Sequence, residues 1–112
     1  MGESQVDMKL EDLTNKAVEI RKEYDRLNAQ RGVTWNEQDF MAGFVGDVGD
    51  LSKLIMAKQG LREIADVDVK LAHELADCLW SILIISNKYG VNLELEFNKT
   101  MSELQRRITT QT

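Results

Sequence analysis

The chain has no proline in 112 residues. A helix can therefore run without the residue that most often breaks it from within, and the breaks must come from elsewhere. Glycine supplies them. Gly32, Gly60 and Gly90 each follow a long run whose apolar residues recur at spacings of three and four, which is where a helix C-terminal cap belongs. The cuts leave four segments of helical period and imply an all-α fold. A composition of 43% hydrophobic and 29% charged residues is that of a globular chain rather than a disordered one. The length fits one domain over residues 1–112 with a modest core.

The first segment runs roughly from Leu10 to Gln30, with Leu13, Ala17, Ile20, Tyr24 and Leu27 on one face and a charged, solvated face opposite. The second opens at Thr34-Trp35-Asn36-Glu37, which reads as a capping box, and extends to about Gln59. Its apolar stripe is Phe40, Phe44, Val48, Leu51 and Ile55. The third starts near Asp66 or Asp68 and ends about Tyr89; from Cys78 to Ile85 it is apolar nearly all round, as a helix covered on every side is. A bundle of this size rarely covers a helix so completely alone, so a homodimer or homotetramer is expected. Asn92 is placed to cap the fourth segment, where Leu93, Phe97, Met101, Leu104 and Ile108 continue the period.

A formal charge of -5 argues against DNA or RNA as the main partner, while leaving room for a small anion neutralised by a metal ion. The longest apolar run, CLWSILII at 78–85, is too short to span a bilayer. The opening MGESQVDMKLEDL has no basic segment followed by an apolar core, and Val6 breaks the myristoylation pattern, so a cytoplasmic protein without a membrane anchor is expected. Cys78 is the one cysteine and reads as a small buried hydrophobe rather than a nucleophile. Zinc-type Cys/His clusters, EF-hand spacing and a P-loop are all missing.

Against this background, residues 43–51, GFVGDVGDL, are out of place. Gly43, Gly46 and Gly49 each cost a helix interior about 1 kcal/mol relative to alanine. Spaced by three, they leave one side nearly bare, for tight helix packing or for a ligand. Asp47 and Asp50, three apart and so about 60° around a helix, project from the same side. In the third helix Glu74 and Asp77 repeat the arrangement within HELADCLW. Either pair alone would be an ordinary solvated face. If the two helices pack antiparallel, as a short connection implies, four carboxylates converge without a lysine among them. Such a group calls for a bound cation or for protons. An all-oxygen set suits Mg²⁺, with Mn²⁺ or Ca²⁺ behind it. His73 has Lys70, not a carboxylate, three before it, so the di-iron pattern is absent. It stands beside Glu74, though a surface histidine is the simpler reading.

The segments GFVGDVGDLSKL and HELADCLWSILIISNKYGVNLE together resemble the MazG-like all-α nucleoside triphosphate pyrophosphohydrolases, a superfamily that includes the dimeric dUTPases and dCTP pyrophosphatases. The likeness spans about residues 33 to 108 and rests on two acidic pairs on consecutive helices, glycines around the first pair, and the turn after the second. It implies a four-helix MazG-like bundle assembled as a dimer or tetramer. It also implies Mg²⁺-dependent hydrolysis of the α,β-phosphoanhydride, giving a nucleoside monophosphate and pyrophosphate. By the resemblance, Asp47, Asp50, Glu74 and Asp77 take the metal and catalytic positions, with Asp47 the leading candidate for the base and the division of roles among the four left open. Two departures stand out: positions 47 and 50 are aspartates where the family has glutamates, and the last-helix phosphate motif is reduced to Lys99, Arg106 and Arg107. The substrate contacts expected are Lys99 and Arg107 for phosphate and Trp35 for the base, with a solvated face and a helix-cap staple as their respective alternatives. The departures leave a second reading, a catalytically weak module that binds a nucleotide or a partner. Trp80 is expected in the core or at a subunit interface.

Overall fold

Each expected segment is a helix in the computed structural model, which describes residues 9–111, so the reading of the first eight residues lies outside it. The helices are α1 (Leu10–Gln30), α2 (Glu37–Lys58), α3 (Val67–Lys88) and α4 (Leu93–Gln111), with no strand among the described residues. Gly32, Gly60 and Gly90 take φ of 71°, 80° and 68°, the left-handed turn that ends a helix and that a side chain resists. Asn92 caps α4, its Oδ1 accepting from the Leu95 amide at 3.1 Å. Asp66 precedes α3 in the left-handed region, a conformation aspartate tolerates better than most residues.

The capping box of α2 is not the expected one. Asn36, in extended conformation, accepts from the Asp39 amide at 2.8 Å, and Asp39 accepts from the Asn36 amide at 3.1 Å. The box thus sits two residues beyond Thr34 and uses the Asn/Asp pair. Glu37 is turned instead towards the end of α3, where it accepts from the Tyr89 hydroxyl and pairs with Lys88 at 3.2 Å. At the other end of the same helix pair, Lys58 of α2 meets Asp68 of α3 at 2.6 Å. These two links run start to end and end to start, so α2 and α3 are antiparallel and residues 47–50 lie opposite 74–77.

The core is Ala17, Phe40, Leu83 and Ile84, with Leu13, Val18, Trp80 and Leu93 packed around it. Trp80 joins α1 to α3: its indole N–H donates to the Ala17 carbonyl at 3.2 Å, and its ring lies 5.6 Å from that of Phe40. On α2, Leu54 is buried beside α3 while Val48 and Ile55 face outward. The second half of α1 also leaves its apolar line, with Tyr24 and Leu27 exposed.

The four helices are not equally engaged in the bundle. α1, α2 and α3 form the packed body, whereas α4 has no buried residue and meets chiefly α1. Phe97, Met101, Leu104 and Ile108 are exposed along it. Leu75, Leu79 and Ile82 of α3 also lie open in the single chain. The radius of gyration, 17.6 Å, exceeds the roughly 13 Å of a compact chain of this length, as a projecting helix requires. No described helix is long and apolar enough to cross a membrane.

Candidate metal and substrate site

The antiparallel register brings together three of the four carboxylates expected to converge. One carboxylate oxygen from each of Asp47, Asp50 and Glu74 lies within 4.8 Å of the other two. Among the described residues no lysine or arginine pairs with any of the four acidic groups of the site. Asp77, one turn from Glu74, is engaged by His73, whose Nε2 stands 3.2 Å from Asp77 Oδ2. His73 is itself largely exposed, so it is a surface histidine that nonetheless holds one carboxylate of the set.

Glu74 carries the strain of the arrangement. Its Oε1 is out of solvent and has no hydrogen-bond partner. Burial pushes its pKa above the usual carboxylate range, helped by the neighbouring Asp47 and by repulsion from Asp47, Asp50 and Asp77. A buried acceptor facing other acceptors is satisfied by a proton or by a cation. The donor set is all oxygen and partly shielded, so it fits a hard divalent ion such as Mg²⁺. Cys78, buried next to the cluster, is held in its thiol form first by burial and then by the charges of Asp47, Glu74 and Asp77. That supports reading it as a packing residue.

A cavity of about 640 Å³ opens beside the carboxylates, between α1, α2 and α3. Asp47 and Asp77 form one end of it, and Trp35, Phe44 and Trp80 contribute aromatic walls. Trp35 is half exposed, and its ring lies against Gly43, where an added Cβ would stand 3.5 Å away. Gly43 thus backs the tryptophan. Among the described residues nothing comes within 4 Å of a Cβ added at Gly46 or Gly49.

Of the expected phosphate contacts, neither joins this cavity. Lys99 pairs loosely with Glu96 on its own helix at 3.8 Å, and Arg107 lies with Glu103 and Arg106 in a shallow depression on α4. What the sequence reading missed is the contribution of α1. Arg21, which the sequence did not single out, lines the cavity, stacks 4.6 Å over the Phe40 ring and bonds Asp25 at 3.1 Å. The only available signal was an arginine four before an aspartate, directly after Ile20 of the apolar face. Family models, curated proteins and solved structures yield no match to this chain.

Proposed function

We propose that the chain is a Mg²⁺-dependent nucleoside triphosphate pyrophosphohydrolase of MazG-like type, converting a (d)NTP and water to the (d)NMP and pyrophosphate. The observation that carries this reading is the convergence of Asp47, Asp50 and Glu74, with Glu74 Oε1 buried and unpartnered, next to an aromatic-walled cavity that Asp47 and Asp77 line. Acidic clusters are common on helix surfaces. One that abuts a cavity of nucleotide size and leaves a carboxylate oxygen unsatisfied is not.

Asp47, Asp50 and Glu74 would hold the ion, with Asp77 completing the set when released from His73. When bound, Mg²⁺ screens the triphosphate and lowers the pKa of the attacking water. The chain's own residues do the rest. Asp47 belongs to both the cluster and the cavity wall, which suits it to accept the water's proton. Trp35 offers a ring face for stacking, backed by Gly43. The open apolar faces of α3 and α4 favour a homodimer or homotetramer, since exposed stripes of this kind normally meet a partner. In keeping with the sequence reading, the protein is assigned to the cytoplasm.

The test is pyrophosphate release from a panel of (d)NTPs with and without Mg²⁺, on wild type and on Asp77→Asn. Magnesium-dependent release that the variant loses while keeping its helical content supports the reading; unchanged turnover in the variant would reject it. The separation of Lys99 and Arg107 from the cavity favours one alternative, a module that binds nucleotide without hydrolysing it. Nucleotide-induced thermal stabilisation with no pyrophosphate release would select that alternative.

A further inference from the structure

Among the polar residues that line the cavity, Ser81 is the most buried. Ser81 is 3% exposed and lines the cavity from α3, yet its hydroxyl has no hydrogen-bond partner among the described residues. Ser86, on the same helix and nearly as buried, behaves as helix serines usually do and donates to the Leu83 carbonyl at 2.9 Å. The contrast leaves Ser81 with a hydroxyl that meets no described residue and opens onto the cavity, free to bond what enters there.

What surrounds Ser81 limits what that occupant is. The nearest wall is Trp80, whose N–H is already committed to the Ala17 carbonyl and so reads nothing in the cavity. Trp35 lines the cavity from the turn before α2, with half its surface open. Across the space, the guanidinium of Arg21 is fixed by Asp25 and by the Phe40 ring. Flat aromatic walls with a few fixed polar groups suit a planar heteroaromatic ring. Ser81 is also four residues, about 6 Å of helix rise, beyond Asp77. An occupant with its phosphates at the carboxylates would therefore place its ring at Ser81.

We propose that Ser81 is a specificity-determining residue that hydrogen-bonds the edge of a nucleobase seated between Trp35 and α3. The inference rests on the nucleotide reading above and adds to it the group that discriminates between bases. A site built around a buried hydroxyl rejects a ring that lacks the matching carbonyl or amino group far more strongly than it rejects a change of size.

The chain has two tryptophans, and both line the cavity, so their two indole N–H signals in a ¹H–¹⁵N spectrum report on it directly. Wild type is titrated with cytidine, uridine, adenosine and guanosine in the absence of divalent metal. At least one nucleoside is expected to shift both signals saturably, and Ser81→Ala to weaken that nucleoside at least tenfold while flattening the ranking among the four. Ser81→Cys, which keeps the volume, replaces the alanine variant if the latter melts early. Absence of a saturable shift with all four nucleosides, or an unchanged ranking in the folded variant, overturns the proposal. Because the nucleosides carry no phosphate and the sample no metal, a failure of pyrophosphate release leaves this result standing. Conversely, a working hydrolase whose base ranking ignores Ser81 refutes this inference alone.

Discussion

The two ends of the α2–α3 pair and its middle are built from the same residue types and behave in opposite ways. At the ends each carboxylate has a partner of opposite charge: Asp68 has Lys58, and Glu37 has Lys88 and the Tyr89 hydroxyl. In the middle, Asp47, Asp50 and Glu74 face one another, and no lysine or arginine among the described residues pairs with them. The pKa directions follow. Tyr89 and Lys88 hold Glu37 below the usual range, whereas burial and like charges hold Glu74 above it. A helix pair held together at both ends can tolerate repulsion at its centre, and that repulsion is what makes the centre receptive to a divalent ion.

The largest effect should come from neutralising the centre. Glu74→Gln is expected to lower pyrophosphate release at least a hundredfold, about 3 kcal/mol of transition-state stabilisation, with the circular dichroism spectrum unchanged. A variant retaining more than a tenth of wild-type turnover would break the contrast between centre and ends. Thermal melting gives the next largest difference. Mg²⁺ should stabilise wild type by about 2.7 kcal/mol at a hundredfold excess over its Kd, and should leave Glu74→Gln unmoved.

Acid titration without metal separates the two regions by sign. Glu74 binds its proton more tightly folded than unfolded, so its contribution to stability is largest in acid. That contribution is lost as the pH rises from about 4.5 through its raised pKa. Glu37 is the reverse: its contribution is present above about 4.5 and is lost as the pH falls through its lowered pKa. Melting temperatures against pH should show the first trend vanish in Glu74→Gln and the second vanish in Glu37→Gln. If the two variants give the same curve, the carboxylates are not in different environments.

Smaller still is the effect of the glycines. No described residue lies within 4 Å of a Cβ added at Gly46 or Gly49, so each alanine variant should gain about 0.5–1 kcal/mol by chemical denaturation. A loss instead would mean that these bare sides are occupied in solution. Lys58→Met should change stability least, by under about 1 kcal/mol and less at high salt, because its ion pair is exposed.

Much of this architecture was legible in the residues. The glycine caps were readable because a left-handed turn selects glycine by sterics alone, and the cap at Asn92 because its oxygen reaches an amide three residues on. The start of α2 was harder. Thr34 and Asn36 are both good caps, and the choice was made by Glu37, which the end of α3 draws away. Arg21 and Ser81 were not legible as cavity residues. An arginine on a charged helix face and a serine within an apolar run look the same whether they meet solvent, core or an empty space.

The sequence by itself determined the four helices and the glycine turns that end the first three, which faces are apolar, and that two acidic pairs occupy the middles of consecutive helices. Each of these is set by interactions within a few residues of one another along the chain. Only the tertiary structure decided that α4 stands apart from the body, that Asp77 turns to His73 while the other three carboxylates converge, and that α1 supplies the far wall of the cavity. Those outcomes depend on how helices distant in sequence divide a limited apolar surface among themselves, and no local pattern encodes that division.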